Sequence, residues 1–233
     1  MTYSTTVTAS DGSGAFDLYV AEPDGPAHGA VVVVQEIFGV NAGIRRKCDL
    51  FAQQGYLAVA PDMFWRLQPG VQFDADCKAT QPRAIELVIA FDTDVGVKDI
   101  QASIDKAREL AGGSARVAVI GYCLGGRMAA FAAARTDGDA FVGYYGVQIE
   151  KMLGEAGAIA KPLLLHIPEI DPHVPAETQA EIHRVFDPHP NVTLHDYPGE
   201  HHGFADAFGD RRSEQASRLA DDRTAAFLEA SFA

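Results

Sequence analysis

The chain has 233 residues, 47 % of them hydrophobic and 22 % charged, with a formal net charge of −13. That length suits one α/β domain, and the acidic balance disfavours nucleic acid and anionic membrane as partners. No apolar run approaches the roughly 18 residues of a membrane span, Met1 to Val7 lacks the basic and apolar regions of a signal peptide, and Cys48, Cys77 and Cys123 are too few, and odd in number, for a disulfide framework. The expectation is a single cytoplasmic domain, 1–233.

Thr5 to Ala9 and then Phe16, Leu18 and Val20 alternate with polar residues around Asp11-Gly12-Ser13-Gly14, which predicts an antiparallel hairpin at a sheet edge. Ala30 to Val34 is continuous and mostly β-branched, the pattern of a central strand, and runs into Gln35-Glu36-Ile37-Phe38-Gly39-Val40-Asn41. Asn41 is placed to cap a helix carrying Ile44, Cys48, Leu50 and Phe51 and stopping at Gly55. Tyr56 to Ala60 reads as the next buried strand, and strand, helix, strand in that order implies a right-handed parallel crossover. From Met63 to Ala90, with Trp65, Arg66, Pro69, Gly70 and Pro82, the spacing predicts an irregular, lid-like segment.

Asp92 to Leu110 has the period of an amphipathic helix, and Val117 to Ile120 that of a buried strand. Phe141 to Gly146, Pro162 to Ile167 and Val192 to Tyr197 are further strands, with helices over Pro175 to Phe186 and Arg212 to Phe232. The alternation predicts an α/β fold: a doubly wound, mostly parallel sheet with helices on both faces.

Between the Val117 strand and the alanine-rich run Arg127 to Arg135 stands Gly121-Tyr122-Cys123-Leu124-Gly125-Gly126. This is the G-x-S-x-G nucleophile elbow of α/β-hydrolases with sulfur replacing oxygen. Its glycines remove Cβ atoms that would collide in a sharp turn, and the following helix points its N-terminal amides at the sulfur. In such sheets ligands gather beyond the carboxyl ends of strands. Asp171 and His202 both follow predicted strands, in the chain order nucleophile, acid, base. Cys123 would attack a carbonyl carbon, His202 would move the proton, and Asp171 would hold the imidazole. His166, His173, His189, His195 and His201 qualify by type alone; Gly203 after His202 favours that one, because a glycine lets the loop bend over a site. The histidines offer no i, i+4 pair and the cysteines no Cys-x-x-Cys, so no metal and no cofactor are expected.

Gln35 to Asn41, Gly121 to Gly126, Gly143-Tyr144-Tyr145-Gly146 and His201-His202-Gly203-Phe204 together resemble the dienelactone hydrolase family, the carboxymethylenebutenolidases. The resemblance covers nearly the whole chain and implies an α/β-hydrolase fold with a triad of Cys123, His202 and Asp171. It also implies that Glu36 pairs with the thiol and helps generate thiolate, and that the Leu124 and Ile37 amides form an oxyanion hole. Tyr144, Phe38, Trp65, Arg66 and Arg83 are pocket candidates. Where relatives acting on dienelactone carry carboxylate-holding arginines and a tyrosine, this chain has Gln81, Asp206 and Ile85. Arg66, Lys78, Arg83 and Arg127 are alternative sources of positive charge.

The expected function is therefore cysteine-dependent hydrolysis of small lactones or esters through a thioester, by a monomer or small homo-oligomer. True dienelactone hydrolysis in chloroaromatic breakdown is one alternative. A non-catalytic small-molecule binding protein on the same fold is another.

Overall fold

The computed structural model describes all 233 residues. The N-terminal alternation folds as a hairpin, with β1 (Thr2–Thr8) antiparallel to β2 (Ala15–Ala21). Phe16, Leu18 and Val20 of β2 are buried while Ala15 and Asp17 are exposed, as a period of two dictates. The strands β3 (Ala30–Val34), β4 (Leu57–Pro61), β5 (Val117–Tyr122) and β6 (Ala140–Tyr144) are buried at every residue, the condition of parallel strands covered on both faces. With β7 (Leu163–Ile170) and β8 (Val192–His201) they form one sheet in the order β1-β2-β4-β3-β5-β6-β7-β8. Only β1 and β2 run antiparallel to their neighbours.

Alternate strand residues feed two separate cores. Val31, Val33, Ala118 and Ile120 pack against Ile44, Cys48 and Phe51 of α1 (Ala42–Gln53) and against Ala220 and Leu228 of α6 (Glu214–Phe232). Val32, Val34, Val119 and Leu165 pack on the other face with Ile100 and Ile104 of α3 (Thr93–Leu110), Met128 of α4 (Leu124–Arg135) and Ile182 of α5 (Ala176–Phe186). Asn41 and Asp92 cap α1 and α3, their side chains accepting from Ile44 N and from Asp94 N and Val95 N.

Three details differ from the sequence expectation. Met63 to Ala90 is not irregular throughout, because Gln81–Ala90 forms a helix, α2, that buries Ala84 and Leu87; Pro82, which looks like a breaker, stands in its first turn, where proline is tolerated. A 3-10 run over Ile149–Ala158 follows β6, its periodicity masked by Gly154 and Gly157. Finally, β7 and β8 extend past their apolar cores to a pair between Ile170 and His201.

The segment before α2 is pinned to the turn after β3. Asp62 accepts from Phe64 N at 3.0 Å and Gly70 N at 2.7 Å, and Phe73 N donates to Phe38 O at 2.9 Å. The Asn41 amide donates to Phe73 O at 2.9 Å. Gly39, at φ 76°, permits this approach, since a Cβ there would lie 1.8 Å from Val71 O.

Candidate active site

Cys123 occupies the turn between β5 and α4 at φ 54° and ψ −110°, a strained conformation for a residue with a side chain. Tight packing enforces it. A Cβ on Gly121 would lie 1.9 Å from Gly125 O, and one on Gly125 would lie 2.2 Å from Val34 O. The Cys123 N–H donates to Tyr144 O at 3.0 Å, and Cys123 O accepts from Arg127 N at 3.1 Å. Leu124 is the first residue of α4, so its N–H has no partner inside the helix.

The extended ladder between β7 and β8 sets Asp171 beside His202. Pairing of Ile170 with His201 places the next residue of each strand, Asp171 and His202, at neighbouring strand ends. Asp171 Oδ2 lies 2.8 Å from His202 Nδ1, and Oδ1 accepts from His173 N at 2.8 Å. Burial disfavours charge on His202, but the Cys123 sulfur and the Asp171 carboxylate outweigh it and raise the pKa from 6.5 to about 10. Of the other histidines, His166 bonds Tyr197 Oη and Thr224 Oγ1, His189 bonds Ala156 O, and His201 is exposed.

Glu36, 7 % exposed, follows β3 and turns Oε2 toward Arg211 Nη2 at 3.5 Å. The same Arg211 nitrogen lies 2.5 Å from Asp206 Oδ2, and Tyr145 Oη donates to Asp206 Oδ1 at 3.1 Å. Burial first, then the Glu36 charge, push Asp206 up from 3.8 to about 8 against the pull of Arg211. Two carboxyl groups thus share one guanidinium. A cavity of about 520 Å³ opens beside them, lined by Glu36, Lys47, Phe73, Tyr122, Tyr145 and Asp206 among others. It stops at Glu36 and Tyr145; Cys123 and His202 do not line it, though Tyr145 packs edge-on to the His202 ring with centroids 5.0 Å apart.

Several of the expected pocket residues do not line this cavity. Trp65 stacks on Phe16 and donates to Asp99 at 2.9 Å, and Arg66 pairs with Asp99 and Asp11, because the pinned segment turns both residues toward α3 and the hairpin. Arg83, on the exposed side of α2, pairs with Glu86, and Gln81 and Ile85 are also exposed. Tyr144 points away from the cavity to Thr224 and Asp221 of α6; its neighbour Tyr145, at φ 39°, swings into the cavity wall instead. Phe38 is buried beneath Arg211, whose guanidinium carbon lies 5.7 Å from the ring centre. Nothing in the sequence signals Arg211, and Tyr145 is named there only inside the motif Gly143 to Gly146, with no role of its own.

The strand order, together with the turn joining β5 to α4, defines an α/β-hydrolase. The dienelactone hydrolase family profile matches residues 16–232, and the chain belongs to that family. A protein of Azospirillum brasilense provisionally named carboxymethylenebutenolidase is 46 % identical, the match covering 92 % of this chain and 93 % of that one. Carboxymethylenebutenolidase 1 of Cupriavidus pinatubonensis is 35 % identical over 95 % and 94 % of the two chains. Among solved structures, a provisionally named dienelactone hydrolase from Klebsiella pneumoniae superposes with a TM-score of 0.82 at 25 % identity, covering 97 % of this chain and 98 % of its own. The protein is a hydrolase of the lactone and ester class.

Proposed function

We propose that hydrolysis runs through a thioester on Cys123. The observation that carries this reading is the Asp171–His202 pair, at 2.8 Å, coupled to a cysteine held in the elbow. The thiolate attacks the carbonyl carbon, and the Leu124 and Ile37 amides take the charge that develops on oxygen. The carbon–oxygen bond of the ester breaks, and the leaving alkoxide takes its proton from His202. In a lactone it stays tethered to the acyl group. Water, deprotonated by His202, then attacks the thioester and releases acid and thiolate. Asp171 keeps the imidazole oriented throughout. Glu36, engaged with Arg211 in the free enzyme, is the carboxylate assigned to assist the thiol once substrate arrives. Three unpaired cysteines support a reducing, cytoplasmic setting.

The test is trapping. Incubation with a slowly deacylating activated ester should add the acyl mass to the Cys123 peptide, and Cys123→Ala should abolish both adduct and turnover. Undiminished turnover by Cys123→Ala, or iodoacetamide labelling Cys77 while Cys123 stays inert, would overturn the mechanism; the latter would favour a binding protein. Cys48 should not react, since burial pushes its thiol far up.

A further inference from the structure

Arg127 stands one helical turn after Cys123, at the fourth residue of α4. It is 5 % exposed, unlike Arg66, Lys78 and Arg83, which lie partly or wholly at the surface. It forms no ion pair. Its Nη1 bonds the Gln148 side-chain oxygen, and its Nε and Nη2 are buried without any partner. A guanidinium does not give up its proton at physiological pH, so this is a fixed buried charge with no ion-pair partner, an arrangement that is unfavourable unless an anion answers it.

Residues four apart share a helix face, and Arg127 N donates to Cys123 O at 3.1 Å, so the arginine stands on the side of α4 that carries Cys123. The wall opposite belongs to the same neighbourhood: Val147 N donates to Cys123 O at 3.4 Å, and the next residue, Gln148, holds the arginine from a left-handed conformation at φ 58°. After burial, the Cys123 charge is the largest influence on Arg127, followed by Glu150. Glu150 is partly exposed and makes no ion pair with it.

We propose that Arg127 is a positioning residue for the nucleophile, its unpaired guanidinium supplying the fixed positive charge that stabilises Cys123 as thiolate. This rests on Cys123 being the nucleophile. The other charged groups around the sulfur are His202 and Asp171 from the loops after β8 and β7, Glu36 after β3, and Arg211 from the loop before α6. His202 is mobile in charge and must release its proton during turnover; Arg127 is not. It therefore holds the thiolate while the imidazole cycles.

The experiment is the pH profile of Cys123 alkylation by iodoacetamide, followed by peptide mass mapping, which needs no ester turnover. Arg127→Met and Arg127→Gln should move the profile up by about one pH unit, the low end of what an opposite charge contributes, and Arg127→Lys should recover most of it. Gln148→Glu, which neutralises the guanidinium without emptying its site, should give the same upward shift and decides the matter if the neutral variants do not fold. An unmoved profile in Gln148→Glu and in every folded Arg127 variant would overturn the assignment, as would Arg127→Lys shifting as far as Arg127→Met. Failure of the hydrolase mechanism shows separately, as turnover surviving Cys123→Ala.

Discussion

At the scale of single residues, the two adjacent histidines make the sharpest contrast. His202 is buried on Asp171, whereas His201 is exposed at the last position of β8. His202→Ala should lower kcat for a good ester by about 10³-fold or more, the scale of losing one triad member. His201→Ala should stay within a few-fold, and steady-state kinetics on both variants checks it. Equal losses would mean that the ladder at Ile170 and His201, not the imidazole, sets the rate. The site was only partly legible at this scale. Cys123 and His202 stand in local patterns, glycines around a turn and a glycine after a histidine, whose sterics travel with the sequence. Arg211 lies nine residues beyond His202 and reaches Glu36 only because its loop folds back over Gly203, where a Cβ would come within 3.0 Å of the guanidinium carbon. No periodicity encodes such a return.

Among the elements, the cap of α1 joins two segments. Asn41 Oδ1 accepts from Ile44 N at 3.1 Å while its amide nitrogen donates to Phe73 O, so one side chain fixes both the helix start and the cavity's outer wall. Asn41→Ala should cost about 1 kcal/mol in denaturant unfolding, the usual value of a lost cap. Asn41→Asp, which keeps the cap and loses the donor, should restore most of that stability yet leave KM raised, because Phe73 is no longer held. A KM unchanged in both variants would show that the wall needs no such tie. The hairpin, β3, β4 and β5 were readable because each buries a face or a whole strand in a repeating way. The helix α2 and the ends of β7 and β8 were not. In α2 a tolerated proline imitates a break, and the strand ends are exposed, polar and ordered by pairing with each other rather than by burial.

For the molecule as a whole, two raised pKa values set how stability answers pH. A raised folded value means stability complete below the unfolded pKa and lost as pH climbs through the folded one. Asp206, raised from 3.8 to about 8, therefore weakens the fold progressively from about pH 4 to pH 8, and His202, raised from 6.5 to about 10, from about pH 6.5 to pH 10. These two groups should make the melting temperature fall as pH climbs from about 4 toward 10, and Asp206→Asn should flatten the part of that fall below about pH 8; a parallel decline in the variant would assign the loss elsewhere. The same carboxyl pair bears on substrate charge. Glu36 lines the cavity and Arg211 is already engaged with it and with Asp206, so a substrate carboxylate would meet like charge and no free guanidinium. The methyl ester of dienelactone should therefore surpass the free acid in kcat/KM, by tenfold or more if even about 1.5 kcal/mol of charge-assisted bonding is missing. A preference for the acid that fades with salt would instead identify Arg211 as its clamp.

The polar chain behind the sheet has a bearing on how the protein is made. His166 on β7 and Tyr144 on β6 both meet Thr224 on α6, and His166 also meets Tyr197 on β8. All eight strands precede α6 in the sequence, so a nascent chain carrying the finished sheet still leaves these hydroxyl and imidazole groups, and the apolar residues around them, facing water. Domains settle as cooperative units during synthesis. The ribosome must therefore release α6 before that face can close, and a chain stalled just short of Thr224 would present a wet, unzipped sheet for chaperones to hold.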